Sequence, residues 1–262
     1  MKTAYFTAAL VAASLCVAFA DDDPPRTIDI DSFPATLVDD VVIPVPTEVF
    51  GVLDKLGSPD WPAAMRPVRT NVKVPRQRSH VALLLGATIA EGFIAVQAQD
   101  ANAVKKIGRN VLTLSKAIGV QKSVMGRTGS IIEAADQKDW KTVRGEFDGA
   151  SKDVKQAMIE LGDTQLAQIV SLGGWLRGTE ALTAIVGQNY TKDGAELLHQ
   201  PAIETYFQRR LAELNPRLKD SAALKKIIAR FPEMRPLIET PITPEKVEAV
   251  HALTAELVKA IE

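Results

Sequence analysis

Two oppositely charged residues stand alone in otherwise apolar stretches of this 262-residue chain. Glu91 lies within residues 77–99, and Arg177 lies within the run 173–178. A buried carboxylate needs a cation or hydrogen-bond donors, or it takes up a proton. Arg177 is therefore the predicted partner of Glu91, and Glu180 is an alternative partner for Arg177 at the surface.

Such a pair has a structural and a functional interpretation. The structural one, which we favour, is a buried ion pair that fixes the register of two helices. The functional one is a polar anchor at the floor of a pocket between them. Glycines inside helices destabilise them by about 1 kcal/mol each relative to alanine, so either a neighbouring backbone or a ligand approaches there. The ligand-binding residues predicted for this pocket are Glu91, Arg177, Trp175, Phe93, Gly174 and Gly178.

Other signals for catalysis are weak. Glu91 as the general base of a hydrolase would need exposure in a cleft beside a histidine or a metal-ligand cluster. His80, His199 and His251 are scattered, without the paired spacing typical of zinc sites. The chain also lacks a nucleophile elbow, a phosphate-binding loop and a c-type haem attachment motif. The sequence thus predicts no catalytic residue, no metal and no cofactor, and favours a protein that is not an enzyme.

The segments that carry Glu91 and Arg177 have the composition of buried helices. Residues 77–99 are apolar on nearly every face, as in a central helix or a membrane span. Because Glu91 and two glycines interrupt this stretch and amphipathic segments follow it, we predict burial and no membrane span after leader removal. Residues 163–186 are similarly apolar, and two buried helices in one bundle are expected to be neighbours.

The segments between these two helices carry apolar residues at helical spacing. Gly119 and Gly162 are predicted helix ends, and Asp100 and Asp163 are predicted caps. A shift of 36 residues aligns Asp100 with Asp136, and 36 residues is the length of a helical-hairpin repeat. The alternative is that any two antiparallel hairpins would resemble each other in this way. The predicted fold class is all-α: a multi-helix bundle or a short solenoid of antiparallel helical hairpins.

The N-terminus predicts export. Residues 1–20 have a basic start, a short apolar run and an Ala-x-Ala cleavage site before Asp21, as in a signal peptide. Residues 21–46 are expected to form an extended acidic, proline-rich strap, and residues 47–262 a single helical domain. We therefore expect a periplasmic or extracellular protein, in which Asn189 would be glycosylated only in a eukaryotic host.

Cysteine usage and charge exclude some classes of site and partner. Cys16 is the only cysteine and lies in the leader, so the mature chain has no thiol for a disulfide, a nucleophile or a metal. Removal of Lys2 with the leader leaves 30 basic and 32 acidic residues, a net charge of −2. This balance gives no overall attraction to nucleic acid.

Charge is nevertheless segregated along the chain. Residues 21–40 hold seven aspartates, whereas residues 66–78 hold five basic residues and no acid. The acidic strap is expected either to fold onto the basic segment or to leave it for an anionic partner. The alternative is two solvated loops, because exposed ion pairs contribute little.

The leading functional hypothesis is an exported, non-catalytic helical scaffold that binds a protein, a peptide or a cell-envelope component. A protein or peptide partner is favoured. The first alternative is a small-molecule carrier with a pocket between the helices that bear Glu91 and Arg177, and the second is the hydrolase in which Glu91 is the general base.

Overall fold

The structure, a computed structural model, describes residues 59–262 and the backbones of two short strands, β1 (Ala35–Val38) and β2 (Val41–Pro44). The strands pair in antiparallel fashion, with Ala35 opposite Pro44. Residues 59–262 form helices joined by turns and irregular segments, so the predicted all-α class is confirmed for this part of the chain. The predicted signal peptide and the rest of the acidic strap lie outside the described residues.

Eleven α-helices pack together within residues 59–262. They are α1 (Trp61–Ala64), α2 (Arg78–Gln97), α3 (Ala101–Ala117), α4 (Gln121–Asp136), α5 (Trp140–Glu160), α6 (Thr164–Gln188), α7 (Lys192–Glu196), α8 (Pro201–Glu213), α9 (Ala222–Arg230), α10 (Met234–Ile238) and α11 (Pro244–Ile261). Two 3₁₀ turns, Pro216–Asp220 and Phe231–Glu233, flank α9.

The two apolar helices α2 and α6 form the centre of the bundle. They are parallel neighbours, since Arg78 at the start of α2 pairs with Asp163 just before α6 at 2.7 Å. Asp163 precedes α6 as predicted, but its carboxylate binds Arg78 instead of capping the helix. Helix α2 is the one described helix long and apolar enough to cross a membrane, and 89% of its most apolar window is buried in the bundle. The prediction that α2 is a buried central helix is confirmed.

Glycines bring the backbones of α2 and α6 into contact. A Cβ atom on Gly86 would lie 1.9 Å from the carbonyl oxygen of Val170, and one on Gly173 would lie 2.1 Å from that of Leu83. Real Cβ atoms do not approach other atoms so closely, so neither position accepts alanine without a shift of the helices. At this crossing the glycines serve close packing of two backbones.

Tight turns connect α2 through α6 into an up-and-down series. Asp100 caps α3 as predicted, and Gly119 and Gly162 end α3 and α5 with φ of 89° and 75°. The turns after α2 and α4 have the same hydrogen bond, from Asp100 N to Ala95 O in one and from Asp139 N to Ala134 O in the other. The equivalent of Asp100 is thus Asp139, and the alignment of Asp100 with Asp136 that the apolar pattern suggested is wrong.

The C-terminal helices cover the other side of the central pair. Helix α11 packs against α6, α9, α10 and α2. Its end lies beside the start of α2, where His80 Nε2 is 2.8 Å from the carbonyl oxygen of Ile261. This contact binds one of the carbonyl groups that the end of a helix leaves without an intrahelical donor.

Candidate functional site

The predicted Glu91–Arg177 ion pair is present between α2 and α6. Arg177 Nε donates to Glu91 Oε2 at 2.6 Å, and Arg177 Nη2 donates to the carbonyl oxygen of Ala64 at 2.6 Å. The other carboxylate oxygen of Glu91, Oε1, accepts from the backbone N–H of Arg66 at 2.9 Å. Both oxygens of Glu91 therefore have a protein donor.

A second pair adjoins the first and extends toward solvent. Arg66 Nη2 donates to Glu180 Oε1 at 2.6 Å, and Arg66 Nη1 donates to Glu262 Oε2 at 2.7 Å. Glu180 Oε2 also lies 3.4 Å from Arg177 Nη1, an ion-pair contact that lacks hydrogen-bond geometry. The five side chains form one chain of alternating charge, which we call the charge network.

Burial of the charge network is deepest at Arg177. Arg177 is 1% exposed, Glu180 6% and Glu91 8%, whereas Glu262 is partly open to solvent. Glu180 thus does form an ion pair with Arg177, as the alternative predicted, but the predicted surface position is wrong because Glu180 is buried, and its hydrogen-bond donor is Arg66. Desolvation by burial raises the pKa of the Glu91 carboxyl, although the nearby Arg177 guanidinium acts in the opposite direction.

Histidines do not complete a catalytic arrangement around Glu91. His251 Nδ1 lies 3.1 Å from Thr183 Oγ1 and 3.3 Å from the backbone oxygen of Glu180, on the α11 side of α6. His80 and His199 contact backbone carbonyls at Ile261 and Ile238. Within the part of the chain that the structure describes, no group of three His, Cys, Asp or Glu residues could hold a metal ion.

The two aromatic residues predicted to line a pocket do not meet at the ion pair. Phe93 packs on Phe147 of α5 with ring centroids 5.8 Å apart. Trp175 packs on Phe207 and donates through Nε1 to Gln200 at 2.8 Å. Each lies two positions from its charged neighbour, about 200° around the helix, so each faces away from it.

The two predicted glycines differ in their surroundings. A Cβ atom on Gly174 would lie 3.4 Å from the carbonyl oxygen of Gly86, so Gly174 belongs to the helix crossing. A Cβ atom on Gly178 would have nothing within 4 Å. Of the six predicted site residues, the structure joins Glu91 and Arg177 directly and places the other four elsewhere around the two helices.

Sequence reasoning did not identify Arg66 and Glu262 as members of the charge network. Arg66 appeared only as one of the basic residues of the segment 66–78, and Glu262 is the last residue of the chain. Their contacts span 114 and 196 residues of sequence, which no local pattern reports. One signal was available in the sequence. Glu91 and Glu180 are two acids beside a single cation, Arg177, so a second cation was required.

Comparisons with known proteins add no relative. No family model, no curated protein and no solved structure matches this chain.

Proposed function

We propose that the protein is an exported, non-catalytic helical scaffold that binds a protein, a peptide or a cell-envelope component. The observation that supports this most is the burial of Glu91, whose two carboxylate oxygens each have a hydrogen-bond donor from the protein. A general base or a ligand-binding carboxylate must present an accessible lone pair toward a cleft. Glu91 instead uses one oxygen for Arg66 and the other for Arg177.

The same contacts weigh against the hydrolase alternative. Glu91 is 8% exposed, and its hydrogen-bond partners are a backbone amide and a guanidinium. A base that activates water needs a free oxygen next to that water. The charge network thus behaves as a lock that joins α2, α6, the segment at Arg66 and the chain end.

The packing of α2 against α6 weighs against the carrier alternative. At Gly86 and Gly173 the two backbones are in contact, which leaves no room for a ligand at that crossing. Phe93 and Trp175 belong to separate clusters on either side of the helix pair. Helices α3, α4 and α5 instead each present an exposed face, which suits a scaffold.

Export is part of this proposal and has a direct readout. The protein is recovered from the exported fraction of its producing cells, and its intact mass is measured. We expect the mass of a polypeptide that begins at Asp21. Native mass spectrometry of the same sample should show no small molecule retained in stoichiometric amount. A retained ligand of a few hundred daltons would instead support the carrier.

Binding is tested by photo-cross-linking in the producing cells. A photoreactive amino acid is placed at one exposed position on each of three faces: Thr113 on α3, Gly126 on α4 and Gln208 on α8. We expect a discrete higher-mass adduct, with a protein, a peptide or an envelope component, from at least one position. If none of the three gives an adduct, the scaffold proposal fails.

A further inference from the structure

Positive charge is concentrated in one part of the chain. Residues 66–132 contain eleven Lys and Arg residues but only two acids, Glu91 and Asp100, a local net charge of +9 in a chain whose total is −1. Both acids are engaged: Glu91 lies in the charge network, and Asp100 caps α3. Any further compensation must therefore come from carboxylates outside residues 66–132.

Four of these eleven cations are paired, and seven are not. Arg66, Arg78, Lys105 and Arg127 bind carboxylates elsewhere in the bundle. The other seven make no ion pair with any described residue, and six of them are exposed while Lys106 is partly buried. We call these seven the basic face: Arg69, Lys73, Arg76, Lys106, Arg109, Lys116 and Lys122.

Six residues of the basic face lie on α3 and the irregular segment that precedes α2, and Lys122 lies in the first turn of α4. Asn110 Nδ2 donates to the carbonyl oxygen of Arg69 at 3.0 Å, and Arg78 Nη2 donates to that of Ile118 at 3.4 Å. From Asn110 to Ile118, which follows the last residue of α3, the helix axis rises by about 12 Å. The segment therefore runs beside the exposed stripe of α3 and places its cations next to those of the helix.

The backbone of this segment favours a peptide as the occupant. Among the described residues, one backbone group of residues 67–76 is hydrogen-bonded, the carbonyl oxygen of Arg69. The remaining N–H and C=O groups lie in a mostly exposed stretch. A peptide laid along the segment can bond to these groups, and its carboxylates can bind the flanking Arg and Lys side chains.

Membrane surfaces and single-stranded nucleic acids fit less well. Among the described residues of the basic face and its helices, two large apolar side chains are exposed: Val74 (39%) on the segment and Met125 (57%), one turn from Lys122 on α4. They do not form a continuous apolar patch with α3, on which no large apolar side chain is exposed. Neither residues 66–92 nor residues 101–132 contain Phe, Trp or Tyr. Interfacial membrane binding relies on inserted apolar side chains, and binding of single-stranded nucleic acid relies on aromatic stacking.

We propose that the basic face binds an acidic segment of a partner protein, held along α3 and residues 66–78. This inference rests on the proposed scaffold function and names the chemistry of its partner. Arginine and lysine supply the charge complementarity, and the free backbone groups supply the preference for a polypeptide. The interaction weakens with salt because its charges are exposed.

The test uses a synthetic twelve-residue peptide of alternating Glu and Ser, labelled for fluorescence anisotropy, and the mature protein. The disrupting variant is Lys73→Glu/Arg109→Glu/Lys116→Glu on the basic face. The matched control is Lys192→Glu/Arg209→Glu/Arg217→Glu, three exposed cations of the C-terminal half that change the net charge equally. We expect the disrupting variant to weaken binding at least about tenfold and the control to weaken it less than about threefold.

Two outcomes of this titration would overturn the inference. One is an equal loss of affinity in both variants, which would mean that net charge alone matters. The other is tight binding to vesicles that contain 30 mol% phosphatidylglycerol together with no binding of the peptide, which would assign the face to a membrane.

Cross-linking separates failure of this inference from failure of the scaffold proposal. If the photoreactive residue at Thr113 gives a protein adduct that disappears in the disrupting variant, the basic face is the binding surface. Adducts from Gly126 or Gln208 alone would leave the scaffold standing and remove the inference. No adduct from any position would remove both.

Discussion

Arginine serves two different purposes in this molecule. Arg177 is buried between α2 and α6, where it binds Glu91 and lies beside Glu180. Arg109 lies on the exposed face of α3 and makes no ion pair with any described residue. The buried cation is needed by the fold, because the buried carboxylate of Glu91 would otherwise have no ion-pair partner. The exposed cation is not needed by the fold, so it is available to a partner.

The contrast shows why isolated charges in apolar segments and clustered charges in polar segments should be interpreted differently. Transfer of an ion from water into the bundle is so unfavourable that a buried charge persists only with partners in place. A solvated lysine or arginine carries no such requirement. Unpaired surface cations are therefore the better guide to a binding surface here, and the buried pair is the better guide to stability.

The largest expected effect is at Arg177. Arg177→Met leaves Glu91 and Glu180 buried without their shared cation, and we expect it to lower the free energy of unfolding by about 3–5 kcal/mol. Urea unfolding followed by circular dichroism measures this change. A loss below about 1 kcal/mol would mean that the charge network contributes little to the fold.

The helix crossing offers the next largest effect. Gly86→Ala places a methyl group 1.9 Å from the backbone oxygen of Val170, so we expect destabilisation of about 1–3 kcal/mol. Gly126→Ala is the matched control, because its Cβ atom would meet nothing within 4 Å on an exposed face of α4. That control should be neutral or more stable by up to about 1 kcal/mol. Similar destabilisation in both variants would contradict the close approach of α2 and α6.

A smaller, pH-dependent effect is expected at Glu91. Burial raises the pKa of this carboxyl in the folded protein above its ordinary value of 4.5. Between the pKa values of Glu91 in the unfolded and folded states, the folded state binds more protons than the unfolded state. The stability that protonated Glu91 contributes is therefore complete below pH 4.5 and is lost as the pH rises through the pKa of the folded state. The stability of the wild type relative to Glu91→Gln should therefore fall as the pH increases from 4 toward 7. An increase over that range would show that Arg177 outweighs desolvation.

The smallest effect on stability is expected from the basic face. Arg109→Glu should change the free energy of unfolding by no more than about 0.5 kcal/mol, since the side chain is exposed and makes no ion pair with a described residue. The measurement is the same urea titration. A loss of about 2 kcal/mol or more, which is typical of buried positions, would give Arg109 the same structural role as Arg177 and remove the contrast.

Sequence reasoning predicted the centre of the site better than its periphery. Glu91 and Arg177 were paired correctly because each is an isolated charge in a helix that must be buried. Arg66 and Glu262 were missed because their contacts depend on how an irregular segment and the chain end pack, and helical periodicity does not report either. Phe93 and Trp175 were grouped with the pair, although their positions two residues from Glu91 and Arg177 direct them to other faces of the helices.

The pattern of apolar residues also could not predict how the two hairpins align with each other. Buried residues recur every three or four positions along each helix, so several shifts align them about equally well. The turns select one shift, since Gln99 and Lys138 both have positive φ and each immediately precedes the aspartate that caps the next helix. Glutamine and lysine rarely adopt a left-handed conformation, so the sequence does not indicate it at these two positions. Glycine adopts it readily, so Gly119 and Gly162 do indicate it.

A double-mutant cycle on Glu91 and Arg177 tests the central claim most directly, because it measures whether the two side chains act as one structural unit. Urea unfolding of the wild type, Glu91→Gln, Arg177→Met and the double variant gives the coupling free energy. We predict a coupling of about 1–3 kcal/mol, with the double variant less destabilised than the sum of the two single variants. Additive effects, within about 0.5 kcal/mol, would contradict the claim that the pair locks α2 to α6.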